Sequence, residues 1–518
     1  MSLKLMLEKT ARRYGGKAAI VLGDRRLSYA DLDEASNKVA NALIKMGVNK
    51  GDRVAILLSN SPEFVTTYFG IVKASAIAVP LDISYRVDEL SSLFDNSLPK
   101  VLVAESSVLE PLIPVLSRFQ SIRHVIDASS KYEGQFLSYR EIMAVSSAQS
   151  IEAEPEPEDI AHIGYTSGPS FHPRGVMLSH HSLVREAAIS GAGYQQTDKD
   201  ITMLFALPMH HVFGLVAGLL ASLHKGSTVV IVPGTGLSIS SFMAAIEKEK
   251  GTMFLGVPYI FTLAVEMAEK ERVKNDLGSL RLCASSGAPL PIDIIQRFKR
   301  LYGFDIVDCF GLTEAVCHLT CPPINGTGKI GSVGKALLGW EVKIVDDNGH
   351  ELPSNQAGEV IVKGPIMKGY YNNPQATAEV IKSGWLYTGD IGKVDENGNL
   401  FINGRKKDTI IVKGQNVYPG DIESVLYAHP KVAEAAVMGI SDEMRGEVVA
   451  AVISLRKGEV ATELEIKQFC LERIASYKVP KKVIFLDALP KTDGARIDKE
   501  SIRDYLSLPP PFAKMAIS

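Results

Sequence analysis

An α/β fold is predicted: a large, multi-subdomain amino-terminal domain with parallel-type sheets covered by helices, followed by a small α+β carboxy-terminal lid. Three observations predict it. Helix-period stretches alternate with short apolar runs, the pattern of strands buried beneath helical crossovers. At 518 residues, 46% hydrophobic and 22% charged, the chain has globular composition and is too long for one ordinary core. Near Arg405 the texture changes to short strands and Asn-Gly turns, which marks a second, smaller unit.

In chain order, "MSLKLMLEKTARRYGG" breaks its apolar residues with charge every few positions, so an amphipathic helix is expected there and export is not. "YADLDEASNKVANALIKMG" has helical spacing, whereas "RVAILL", "KVLVA" and "TVVIV" are strand-like apolar runs. Residues 145–159, "VSSAQSIEAEPEPED", are acidic and proline-bearing. They are expected to form a solvated connector at a subdomain junction, leading into the strand "IAHIGYT". The longest nearly apolar run, Val212 to Leu223, falls short of the ~20 residues a membrane helix needs. At "NGNLFINGRKKDTIIVKGQNVYP" the smaller tail begins, which assigns residues 1–404 to the large domain and 405–518 to the lid.

Several function classes drop out. A net charge of -3 argues against an unspecific nucleic-acid binder. Five cysteines (Cys283, Cys309, Cys317, Cys321, Cys470) contain no C-x-x-C pair and make poor material for a disulfide framework, so a cytoplasmic location is expected. Cys317 and Cys321 flank His318 and neighbours without a second ligand pair at zinc spacing, and they read as buried thiols. "GTGKIG" at 326–331 matches G-x-G-x-x-G, yet "CPPIN" precedes it and no helical run follows, so the dinucleotide reading fails on context. No P-loop, H-E-x-x-H or G-x-S-x-G motif occurs.

Thr166, Ser167 and Gly168 follow a strand and offer hydroxyls and close backbone N–H groups to an anion. After them come, in one order, "RGVMLSHHSL", "LPMHHVFGL", "GVPYIF", "SSGAPL", "FGLTE", "GWLYTGDIG", "GRKKDTIIVKGQNVYPGDIE" and "YKVPKKVIF". This series resembles the AMP-forming acyl-CoA synthetases of the adenylate-forming superfamily over essentially the whole chain. The resemblance implies two steps on ATP, Mg²⁺ and coenzyme A: a carboxylate attacks the α-phosphorus to give acyl-adenylate and pyrophosphate, then a thiol takes the acyl group. It also implies that the small domain rotates between the steps. Stabilising charge on the transferring phosphorus is then the main electrostatic task.

Carried over position by position, the resemblance implies that Ser286, Gly287 and Ala288 pack on adenine and that Thr313 bonds the α-phosphate. Glu314 would hold Mg²⁺, which needs only one or two carboxylates beside phosphate oxygens. Asp390 would accept from both ribose hydroxyls, Arg405 would approach the ribose, and Lys407 would sit at the hinge. Lys413 and Gly414 belong to the loop expected to swing in for thioester formation. His211, Phe213, Gly214, Pro258, Tyr259 and Gly287 match positions lining or gating the acid pocket.

Two departures stand out. The phosphate loop reads T-S-G-P-S-F-H-P-R-G where the family has T-S-G-T-T-G-x-P-K-G, so Pro169 removes a donor, Phe171 replaces a glycine, and Arg174 keeps the charge. In "LPKTDGARIDKESI" the catalytic lysine position is Arg496, whose guanidinium is wider and planar. Lys491 and Lys499 are out of register. Both departures fall on the first half-reaction, so slow adenylation is expected beside an intact AMP site. The expected activity is a carboxylate–CoA ligase for a fatty or aromatic acid. The alternatives are an adenylate- or acyl-CoA-binding protein without turnover and an enzyme that loads a carrier-protein thiol. A homodimer is left open.

Overall fold

The computed structural model describes residues 1–129, 131–132, 134–166, 174–232, 238–270, 275–412, 415–442, 446–476, 478–492 and 497–507. Two largely parallel sheets form its base. The first has 8 strands, in spatial order Gly369–Tyr370, Arg174–Ser179, Ile160–Thr166, Ile77–Pro80, Arg53–Leu57, Val101–Ala104, His124–Asp127 and Leu137–Ser138. The second has 7: Ile306–Asp308, Leu282–Ser285, Met253–Gly256, Ile201–Phe205, Thr228–Val232, Ala18–Leu22 and Arg25–Ser28. The apolar runs singled out above are interior strands of these sheets, where both faces are covered.

Helices fill the space between the sheets. Phe213–Leu220 is buried along all of its length and is apolar all round, whereas Pro62–Lys73, buried along nearly its whole length, also encloses Thr66, Thr67 and Lys73, whose ammonium is paired with Asp33 and Asn37. One core joins inner residues of the first sheet, such as Val54 and Ala78, to those of the second, such as Leu204 and Ile231. Further helices close the outer faces, among them Val87–Ser97 on the first sheet and Pro258–Lys270 with Ile292–Tyr302 on the second. The Val212 to Leu223 run is therefore core, and among the described residues no helix is long and apolar enough to cross a membrane.

The connector at 145–159 is not a subdomain junction. The strand it leads into, Ile160–Thr166, enters the same sheet as Arg53–Leu57, beside Ile77–Pro80. The connector is strapped down: Asn37 Nδ2 donates to the Ala148 carbonyl at 3.1 Å, and Asn41 Nδ2 to those of Ser147 and Gln149 at 3.0 and 2.9 Å.

An antiparallel sheet follows, built from Glu341–Val345, Gly358–Lys363, Trp385–Val394 and Ile381–Lys382, with Leu400–Arg405 paired to Trp385–Val394. Beyond Arg405 a separate sheet of 5 strands begins, centred on the hairpin Val432–Asp442 with Gly446–Leu455. It has its own core around Val437, Ala451 and Ile466.

Candidate active site

Thr166 ends its strand in register with Arg174, the first residue of the returning strand, so the two ends of the phosphate-type loop are pinned together. Ser167 and Gly168 lie outside the described residues. The Arg174 guanidinium stands over the Tyr370 ring, 5.5 Å from its centroid, where the ring's electron-rich face attracts it. Tyr370 donates its hydroxyl to Glu314 Oε1 at 2.9 Å. Burial, together with the Glu314 carboxylate, drives the phenol pKa well up, so Tyr370 stays a donor.

Thr313 and Glu314 sit on the tight helical turn Thr313–Ala315. Its exit is strained: Val316, a β-branched residue, adopts a left-handed φ of 63°. Thr313 is buried and Glu314 faces a cleft of ≈ 380 Å³, within the range of roughly 300–1,000 Å³ occupied by small-molecule sites. That cleft is lined by Arg174, Glu314, Tyr370, Gly389, Arg405 and Lys406, among others.

Asp390 borders the same place. It pairs across the strands with Arg405, whose Nε lies 2.6 Å from Asp390 Oδ1. Asp390 is only 3% exposed, whereas the Arg405 side chain is 47% exposed. A buried carboxylate requires such a partner, and the exposed guanidinium can give way to another donor with little rearrangement. Lys406 is tied to Glu359 at 2.9 Å and to Asp347 at 3.0 Å, and these bonds raise its pKa. Lys407 is exposed and lies 3.8 Å from Glu500.

Ser286, Gly287 and Ala288 follow the carboxyl end of Leu282–Ser285, outside the lining of this cleft. Gly287 has a φ of 93°, where a side chain would be strained. Sequence reasoning passed over Asp308. Its strand runs parallel to the one before Ser286, with Ser285 and Asp308 in register. Its Oδ1 is enclosed without a hydrogen-bond partner among the described residues, and burial lifts its pKa to about 7. The available signal was a carboxylic acid closing a strand immediately before "CFGLTE".

His211 also stands apart from the cleft lining, on the turn after Ile201–Phe205. Phe213 and Gly214 begin the buried helix that follows. Pro258 opens the helix Pro258–Lys270, and Lys491 Nζ lies 4.3 Å from the centroid of the Tyr259 ring. Lys491 had little weight in the sequence, yet it joins the carboxy-terminal unit to this wall. Arg496, Lys413 and Gly414 lie outside the described residues. All five cysteines are buried free thiols.

The AMP-binding enzyme family matches residues 7–371, and the AMP-binding enzyme C-terminal domain matches residues 421–495. The chain belongs to the AMP-binding enzyme family. This AMP-binding enzyme is 31% identical to an oxalate–CoA ligase of Arabidopsis thaliana over 97% of the chain and 98% of that relative. It is 32% identical to a long-chain-fatty-acid–CoA ligase of Bacillus subtilis (strain 168), over 96% and 93%. Its fold overlays the crystal structure of the anthranilate CoA ligase AuaEII in complex with anthranoyl-AMP with a TM-score of 0.90, at 29% identity and 97% coverage of both chains. The AMP-binding enzyme is thus an acid–thiol ligase of the acyl/aryl-CoA ligase type, a family that works through acyl-adenylates with ATP, Mg²⁺ and CoA.

Proposed function

We propose that this ligase holds the nucleotide between the Thr313–Ala315 turn and the Asp390–Arg405 pair, and that it activates a fatty or aromatic acid more slowly than it completes the thioester. One observation carries the reading: Arg174, Glu314 and Arg405, distant in sequence, line one cleft, with Asp390 bonded to Arg405 at its border. In this assignment Asp390 accepts from the ribose hydroxyls as Arg405 shifts toward the ribose, and Thr313 bonds the α-phosphate. Arg174 and Thr166 meet the outer phosphates, while Ser286, Gly287, Ala288 and Asp308 form the adenine side.

Glu314 fits a hard cation, since the Tyr370 hydroxyl donates to its Oε1 and a magnesium ion needs few protein oxygens. The ion, when bound, neutralises phosphate charge. Arg496 is assigned to the acid carboxylate and α-phosphate, and Lys413 with Gly414 to the path of the thiol. The lid is assigned to residues 405–518 and the compartment to the cytoplasm.

The test is AMP release with a panel of acids, ATP and CoA, alongside acid-dependent exchange of pyrophosphate into ATP. Slow exchange with faster conversion of supplied acyl-adenylate is expected. Arg496→Lys is expected to raise the exchange rate. Exchange as fast as thioester formation in the parent protein would refute the slow first step.

A further inference from the structure

The turn that carries His210 and His211 is built by residues of the other sheet. The strand Ile201–Phe205 belongs to the second sheet, and Ala206 turns the chain with a left-handed φ of 49°, a conformation costly for a residue with a Cβ. Pro208 follows, with no N–H of its own. On either side of it stands a single amide: Asn60 Nδ2 donates to the Leu207 carbonyl at 2.8 Å, and the Met209 N–H donates to Asn60 Oδ1 at 2.8 Å. Asn60 lies in the loop after Arg53–Leu57 of the first sheet.

A second hold comes from the neighbouring loop. Asp82, just beyond Ile77–Pro80, places Oδ2 3.3 Å from His210 Nε2. Its other oxygen accepts from the Ser84 backbone N–H at 2.8 Å and the Ser84 hydroxyl at 2.7 Å. Burial opposes its charge, but the bonds from His210 and Ser84 prevail and hold the carboxyl at about 2, so Asp82 is ionised.

The turn then locks itself. The His211 N–H donates to the Pro208 carbonyl at 3.2 Å, and the Phe213 N–H donates to His211 Nδ1 at 3.2 Å. With Nδ1 accepting from the Phe213 N–H, the His211 ring is held in one orientation by its own turn.

We infer that Asn60 and Asp82 are positioning residues that fix the Pro208–His211 turn and thereby set which acids the enzyme accepts. The inference rests on the reading of His211 as an acid-pocket residue. Two loops at the carboxyl ends of first-sheet strands hold a turn from the carboxyl end of a second-sheet strand, so the pocket wall depends on the spacing of the two sheets. A turn strained at Ala206 and released from Asn60 would relax, moving His211 relative to the acid.

The experiment measures AMP release by the full chain with short, long and aromatic acids, plus ATP and CoA, for wild type, Asn60→Ala, Asp82→Ala and Asp82→Asn. Both alanine variants are expected to raise the acid KM about tenfold or more and to reorder the acids, with the ATP KM within about twofold, because small displacements of a positioning group cost one to two orders of magnitude. Asp82→Asn keeps one acceptor oxygen where Asp82 uses two, for His210 and for Ser84, and should recover only part of the loss. A general structural defect would instead lower the melting temperature and scale all acids alike. Wild type silent with every acid overturns the ligase reading and the inference with it. Wild type active, with an unchanged order of acids in both alanine variants or equal rises in the ATP and acid KM, overturns the inference alone.

Discussion

Glu186 is wholly enclosed on the helix His180–Gly193, where the Trp340 indole N–H donates to one oxygen at 2.9 Å and the Ser190 hydroxyl to the other at 2.9 Å. Burial raises its pKa from 4.5 to about 8, so at neutral pH the folded chain keeps a proton that the unfolded chain releases. The stability tied to that proton is fully present below about 4.5 and is lost as pH rises through about 8. Urea unfolding from pH 5 to pH 8.5 should show wild type losing stability relative to Glu186→Gln. Equal slopes would show that the acid is ionised in the fold. Glu186→Ala should cost about 1–3 kcal/mol at pH 6, since it strands a buried indole N–H. At the cleft, Asp390→Ala should weaken AMP binding about tenfold or more, a loss of ~1.4 kcal/mol readable by calorimetry.

The buried helix Phe213–Leu220 shows how an element constrains its residues. A Cβ on Gly214 would stand 2.2 Å from the Pro208 carbonyl oxygen, a backbone atom that cannot rotate aside. Gly214→Ala should therefore destabilise the fold by about 1–3 kcal/mol in urea unfolding and displace the histidine turn. Unchanged stability would mean the contact is loose. At this scale the sequence reads well where pattern is local: the amphipathic start is the helix Leu3–Tyr14, and "YADLDEASNKVANALIKMG" contains the helix Tyr29–Lys45. It reads poorly where partners are distant. The stretch at 145–159 looks like a solvated junction because its acids and prolines resemble a linker, yet Asn37 and Asn41 fasten its backbone inside one sheet's domain.

Across the whole molecule, the carboxy-terminal unit meets the large domain at two neighbouring helices. Arg456 Nη2 lies 2.9 Å from Asp293 Oδ2 on Ile292–Tyr302, and Lys491 lies over Tyr259 on Pro258–Lys270. The backbone bridge between Lys491 and Ile497 brackets Arg496 in sequence. This orientation thus brings Lys491 against the Tyr259 ring. The Arg456–Asp293 pair is roughly a third exposed, so its loss should change stability by less than ~1 kcal/mol. Arg456→Ala should nevertheless reduce pyrophosphate exchange more than it reduces thioester formation from supplied acyl-adenylate. Equal losses in both would deny the pair any part in orientation.

The order and chemistry of the motifs were written in the chain: strand runs, the Thr313–Glu314 and Asp390–Arg405 segments, and the altered loop and Arg496 are all legible there, because each depends on residues close in sequence. The sequence did not show that Asn60 and Asp82 grip a turn some 150 and 130 residues away, that Asp308 stands beside the Ser286 segment, or that Lys491 reaches Tyr259. Hydrogen bonds and ion pairs of that kind are set by how two sheets and a separate unit stack, and stacking leaves no periodic trace in the order of residues.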